Sequence, residues 1–255
     1  AYIYFDSIVL SKNKAPEVKL EIEVQGANQA RRQTMKFAQG DSLYDASKLP
    51  AYKEFVITDI NPRTNTVYFR NGDQIRAGEV MGDVSEKTIQ QVQIRETVKS
   101  HFEKERQLYQ QGIKTLSLFF IDEVANYKSY DESGEIVKGD LWKMFEYEYH
   151  RYLNENLSLF EDDYQKYLKR FSVEQVHNGY FSIDKKGHAV NSDVKRGNDT
   201  SDDISAYDLI LKDKERLLSF DEPTRFIFSH SALREGWDNR RSEARRVGKE
   251  CRSRW

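Results

Sequence analysis

Residues 226–239, FIFSHSALREGWDN, join an apolar run to polar side chains of the kind that bind nucleotides. Gly236 permits close approach of the backbone to a ligand, Asp238 can accept a hydrogen bond from a ribose hydroxyl, and Arg234 can pair with a phosphate. Such side chains suit the crevice at the carboxyl edge of a parallel sheet. On these residues alone, an ordinary junction between a strand and a loop is an equally good interpretation.

A second candidate is the apolar run 118–121, which is followed directly by Asp122 and Glu123. A strand that ends in Asp-Glu resembles the Mg²⁺-holding strand of P-loop ATPases, but that chemistry also requires the phosphate loop G-x-x-x-x-G-K-[ST]. The sequence contains no such loop. The run therefore favours a core strand that meets a loop over a Mg²⁺ site.

The remaining reactive side chains give little support for metal or covalent chemistry. The five histidines show no metal-ligand spacing, and His177 and His188 favour a structural role across a hairpin. No serine lies in the G-x-S-x-G context of a hydrolase nucleophile. We therefore predict no catalytic residue and no metal site in this chain.

The last sixteen residues, 240–255, differ in composition from the rest of the sequence. They contain seven of the 40 Lys and Arg residues, two of the 42 Asp and Glu residues, and the only cysteine. Without them 33 basic residues face 40 acidic ones, and the formal charge is −7 rather than −2. This tail closely resembles a conceptual translation of a sequencing-library adapter, an interpretation that we favour over a basic nucleic-acid-binding arm.

Composition predicts a globular protein outside the membrane. Of 255 residues, 38% are hydrophobic and 13% aromatic, which argues against disorder. No run of 18 apolar residues occurs, so we predict no membrane span. Without the tail the chain has no cysteine, which fits a reducing cytosol and predicts a cytoplasmic location.

The pattern of elements predicts an antiparallel β-rich segment over residues 1–82 and a partial α/β domain over 83–239. In the first segment residues 18–24 alternate between apolar and charged side chains, and turn-rich stretches follow residues 60 and 70. Ser85 can cap a helix that Gly112 can end, and residues 207–218 also have a helical period. These helical periods alternate with apolar strands at 115–121 and 225–229. This alternation predicts a parallel sheet covered by helices.

Residues 232–239, ALREGWDN, resemble motif V of superfamily 2 helicases. Four preceding stretches narrow the resemblance to the restriction (Res) subunit of type III restriction-modification enzymes: 114–122, 176–182, 207–218 and 226–231. The resemblance covers residues 85–239 in the order and spacing of that family. It implies that residues 83–239 form part of the second RecA-like helicase lobe, with the β-rich segment 1–82 between the two motor lobes.

The resemblance also implies roles for residues of motifs IV and V. The residues that would lie near DNA are Phe120, Ile121, Asp122, His230, Ser231 and Arg234. The residues that would approach ATP are Gly236 and Asp238.

The full-length parent is expected to be an ATP- and Mg²⁺-dependent DNA translocase and type III site-specific deoxyribonuclease. Its expected partners are double-stranded DNA and a methyltransferase (modification) subunit. The family's phosphate loop, Mg²⁺-binding motif, arginine finger and nuclease carboxylates have no counterpart in residues 1–239 and would lie elsewhere in that parent. We therefore expect this chain alone to bind neither ATP nor Mg²⁺ and to be inactive.

Two alternatives stay open at this point. The chain could come from a generic superfamily 2 DNA helicase or repair translocase, which would lack the nuclease domain. It could also be a non-enzymatic interaction module. Residues 1–239 have a formal charge of −7, whereas a free-standing DNA-binding domain usually has a basic face.

Overall fold

The computed structural model describes residues 1–82, 84–156, 162–183, 188–191, 214–230 and 242–247. The chain divides into two compact units, Ala1–Val92 and Gln93–Trp255. The first contains antiparallel sheets and the second a parallel sheet with helices, so the predicted fold class is confirmed. The predicted boundaries after residues 82 and 239 stay predictions.

The first unit begins with a four-stranded antiparallel sheet in the order β3-β2-β1-β7. Its apolar face is the one that the alternation at residues 18–24 predicts, because Val18, Leu20 and Ile22 are all fully buried. The strands are β1 (Ile3–Ser11), β2 (Lys14–Val24), β3 (Arg31–Ala38) and β7 (Val80–Met81).

A three-stranded antiparallel sheet completes the core of the first unit. It comprises β4 (Ile57–Asn61), β5 (Thr66–Phe69) and β6 (Gln74–Arg76). The predicted Asn-Gly turn lies between β5 and β6, where Gly72 has a φ of 90° that favours glycine. Helix α1 (Leu43–Ser47) and a 3-10 turn (Pro50–Tyr52) connect the two sheets.

Helix α2 (Glu86–Tyr109) begins and ends at the predicted signals. The Ser85 hydroxyl accepts a hydrogen bond from the Thr88 amide at 3.2 Å, as an N-cap does. Gly112, with a φ of 69°, lies just beyond the helix end.

The second unit is built on a four-stranded parallel sheet in the order β11-β14-β8-β15. Strands β8 and β14 are buried along almost their whole length, which is typical of strands that helices cover on both faces. The strands are β8 (Leu116–Ile121), β11 (His177–Tyr180), β14 (Phe226–Ser229) and β15 (Ser242–Val247).

Aromatic side chains dominate the core between this sheet and the helices. The Phe119 and Phe228 rings stack at 4.6 Å across the sheet, and Phe102 of α2 stacks on Tyr152 at 4.5 Å. The further helices are α3 (Asp140–Asn156), α4 (Asp163–Lys169), α5 (Val173–Val176) and α6 (Lys214–Leu217). No helix in the described part of the chain combines the length and apolar composition that crossing a bilayer requires.

Two short hairpins follow β8 and β11. The first pairs β9 (Lys128–Tyr130) with β10 (Ile136–Lys138), and the second pairs β12 (Ser182–Ile183) with β13 (Ala189–Val190). Of the helix predicted over 207–218, residues 207–213 lie outside the described ranges.

Residues 242–247 of the predicted adapter-derived tail form β15 at the edge of the parallel sheet beside β8. The pairing uses backbone groups, which every residue type carries, so it has no bearing on where these residues come from. The adapter origin of the tail stays a prediction.

A buried ion pair joins the helices of the second unit to β14. Arg225, immediately before the strand, is fully buried, and its Nη1 donates to Glu105 Oε2 of α2 at 2.8 Å. The other Arg225 Nη donates to the Tyr149 hydroxyl of α3, and the Tyr164 hydroxyl of α4 donates to Glu105 Oε2 at 2.9 Å. Burial alone would raise the pKa of Glu105, but Arg225 and His101 hold it down at about 2.

Replacing Arg225 with leucine should lower the free energy of unfolding by about 3–5 kcal/mol, because Glu105 would keep a buried charge without its partner. Urea denaturation of the chain measures this change. Arg216→Leu is the matched control, since Arg216 is 71% exposed where it pairs with Glu222, and it should cost less than about 1 kcal/mol. Equal losses in the two variants would contradict a special role for the buried pair.

Candidate functional site

The carboxyl ends of three parallel strands form the candidate site. Strand β14 lies between β11 and β8, and Ser229 at its end pairs with Tyr180 of β11 and Phe120 of β8. The residues that follow these strands therefore emerge at one edge of the sheet, where parallel α/β sheets bind ligands. Asp122 follows β8 and His230 follows β14, so these two predicted residues lie at the same edge.

The predicted residues at this edge differ in exposure. Asp122 is exposed, and Phe120 and His230 are half-buried. Ile121 is only 4% exposed and belongs to the core, so a ligand at the edge would reach its backbone and not its side chain. The other predicted site residues lie outside the described residues: Ser231, Arg234, Gly236 and Asp238.

Tyr127 anchors the loop that carries Asp122. After the exposed Asp122 and Glu123, a 3-10 turn (Val124–Asn126) leads to the buried Tyr127. The Tyr127 ring stacks on Phe228 of β14 at 4.5 Å, and its hydroxyl lies 2.8 Å from His177 Nδ1 of β11. The loop after β8 is thus fixed to β14 and to β11.

The side chains at this edge are charged at its exposed positions. Asp122 and Glu123 are exposed carboxylates, and the half-buried His230 follows the adjacent strand β14. Within the described ranges no group of three or more His, Cys, Asp or Glu side chains is placed to hold a metal ion. The arrangement fits contact with a ligand's backbone or polar surface.

Buried polar contacts occupy the opposite, amino edge of the sheet. Besides the Arg225–Glu105 pair, His101 Nδ1 lies 2.8 Å from the Ser117 hydroxyl at the start of β8. The ammonium group of Lys114 donates to the carbonyl of Ser219 at 2.9 Å, and burial lowers the pKa of Lys114 to about 8. These groups are shielded from solvent, so their role is structural: they hold the amino ends of the strands in place.

Sequence reasoning missed this amino-edge network. One signal was available, because Arg225 stands directly before the apolar run of β14, where a charge needs a partner. A second was His101 and Glu105, four residues apart on α2 among apolar positions.

The two histidines considered for a hairpin contact different side chains. His177 is buried against Tyr127 and lies 3.9 Å from a carboxylate oxygen of Glu146. His188 stacks on Tyr130 with ring centroids 4.2 Å apart. Each histidine therefore packs against an aromatic ring of the segment that follows β8.

No model of a known protein family matches the chain. Comparison with curated proteins finds the Res subunit of the type III restriction-modification enzyme EcoP15I from Escherichia coli, 35% identical over 214 residues, which cover 82% of this chain. The Res subunit of EcoPI from Escherichia phage P1 is 38% identical over 181 residues, or 69% of the chain. The Res subunit of StyLTI from Salmonella typhimurium is 32% identical in an alignment 184 residues long, which covers 59% of the chain.

The chain is related to the Res subunits of type III restriction-modification enzymes. The resemblance inferred from the motifs is thereby confirmed. The matches cover 20%, 17% and 16% of the three relatives, so this Res-related chain spans about a fifth or less of their length. It corresponds to a segment of such a subunit.

Acidification should lower the stability of this Res-related chain, and protonation of His177 is the cause. Burial lowers the pKa of His177 from 6.5 to about 4. Between these pH values the unfolded chain binds a proton at His177 that the folded chain does not, so stability falls as the pH decreases from 6.5 towards 4. The total loss is up to about 3 kcal/mol.

His177→Gln should flatten the pH dependence of the unfolding free energy in this window, as measured by urea titrations at several pH values. The pKa of Glu105 falls from its ordinary 4.5 to about 2, so its effect overlaps that of His177 only between about pH 4 and 4.5. His150→Gln, at an exposed position of α3, is the control and should keep the full dependence. A profile of His177→Gln as steep as that of the wild type would refute this assignment.

Proposed function

We propose that this chain contributes part of the second motor lobe of a type III Res subunit. In this proposal the carboxyl edge of the parallel sheet contacts the DNA backbone, and Gly236 and Asp238 approach ATP. The contacts would carry no base-sequence information, as a motor that moves along DNA requires.

The observation that carries the proposal is the pairing of β8 with β14 in parallel register. It brings the ends of the motif IV and motif V strands together, with Asp122 and His230 at one edge. The two stretches that the resemblance assigns to motifs IV and V thus contribute to the same edge of the sheet. Similarity to three Res subunits supports the same interpretation.

The charges at this edge determine how DNA could bind there. Asp122 and Glu123 repel phosphate, so attraction has to come from backbone N–H groups and from the imidazole N–H of His230. Arg234, which follows β14 in the sequence, would add a permanent positive charge. The predicted DNA contact therefore depends on motif V more than on motif IV.

The activity of the complete protein is part of the proposal. The three relatives are named as Res subunits of restriction-modification enzymes. We propose that the complete protein is a cytoplasmic, ATP- and Mg²⁺-dependent endonuclease. It would act on double-stranded DNA together with a modification subunit. Within it Gly236 and Asp238 would face the nucleotide.

Replacing His230 with alanine should weaken the binding of short duplex DNA by the 255-residue chain, because one charge-assisted phosphate contact is lost. Fluorescence anisotropy at low salt and pH 6 should show a decrease in affinity of about three- to tenfold, with weaker salt dependence. His150→Ala, an exposed histidine on α3, is the matched control and should bind like the wild type. Equal affinities of His230→Ala and wild type would contradict a DNA contact at this edge.

The chain alone should hydrolyse no ATP and cut no DNA. It lacks a phosphate loop, and removal of an arginine finger alone lowers the rate of phosphoryl transfer by about 10³ to 10⁵. A phosphate-release assay on residues 1–239, with and without duplex DNA and Mg²⁺, tests this expectation. Turnover above a no-protein blank would overturn it.

A further inference from the structure

The loop that carries Asp122 is held by a side chain distant in sequence. The amide N–H of Val124 donates to Asn191 Oδ1 at 2.8 Å, across 67 residues. Val124 is the first residue of the 3-10 turn and lies two positions after Asp122. This bond therefore joins the loop after β8 to the segment that follows β13.

The bond satisfies a donor that the turn leaves open. The first N–H groups of a helical turn have no partner within it and are usually capped by the residue just before. Here that residue is Glu123, whose side chain makes no capping hydrogen bond. Asn191 supplies the missing acceptor from another part of the chain.

The segment 188–191 is itself anchored, so it can fix the loop. The Ala189 amide donates to the Tyr130 hydroxyl at 3.1 Å, and the Tyr130 and His188 rings stack 16° from parallel. Strand β13 also pairs with β12, which follows β11 closely. Asn191 therefore projects from a stretch tied to both hairpins at the carboxyl edge.

We propose that Asn191 is a positioning residue for the carboxyl edge: by capping Val124 it sets where the backbone of Asp122 and Glu123 lies. The consequence for DNA rests on the proposed function above. The capping contact itself rests only on the geometry of Asn191, Val124 and Glu123.

Amide hydrogen exchange in the 255-residue chain, followed by NMR, tests the capping contact directly. In Asn191→Ala the Val124 amide should exchange about tenfold faster, while the Tm falls by no more than about 2–4 °C. Asn191→Asp keeps the acceptor oxygen and should restore slow exchange at Val124. The matched control is Asn178→Ala at an exposed position of β11, which should leave Val124 unchanged.

Slow exchange of Val124 in Asn191→Ala would overturn the proposal. Faster exchange that Asn191→Asp does not restore would overturn it too, because the acceptor oxygen would not be the cause.

Binding of short duplex DNA then tests the consequence at the edge. Asn191→Ala should bind about two- to tenfold more weakly than the wild type, while Asn178→Ala binds normally. Faster Val124 exchange with unchanged DNA affinity would overturn the link between Asn191 and the DNA contact. If the wild-type chain binds no DNA, the proposed function fails, while the exchange data still decide whether Asn191 caps the turn.

Discussion

The buried pair of Arg225 and Glu105 is the contact on which the second unit depends. Removing two charges from water is costly, and the cost is offset only where geometry is close and the remaining polar atoms find partners. Tyr149 and Tyr164 supply such partners from α3 and α4. The ion pair and its two tyrosine hydrogen bonds therefore join three helices to the residue that precedes β14.

Fixing β14 at its amino end determines what its carboxyl end can present. Because the sheet is parallel, β8, β11 and β14 all end at the same edge, and Tyr127 ties the loop after β8 to β14 and to β11. Charges at the amino edge are buried and paired, whereas Asp122 and Glu123 at the carboxyl edge are exposed. This asymmetry separates a structural end of the sheet from the end at which we propose that DNA binds.

Local pattern predicts the elements of this chain better than the contacts between them. Alternation predicts β2, apolar runs predict β8 and β14, and Ser85 with Gly112 brackets α2. Strand β1 is less evident, because register shifts after Phe5 and Val9 interrupt its alternation.

The candidate site follows in part from the sequence, since motif order together with a parallel sheet places Asp122 and His230 at one edge. The pairing of Arg225 with Glu105 spans 120 residues and that of Asn191 with Val124 spans 67, so no local pattern reveals them. The most direct test of the account is a residue-resolved NMR titration of the chain with short duplex DNA. The account predicts shifts of the amides around Asp122 and His230, with those of Ser117 and Arg225 unmoved. Shifts confined to the amino edge or to the first unit, or no shifts at all, would contradict it.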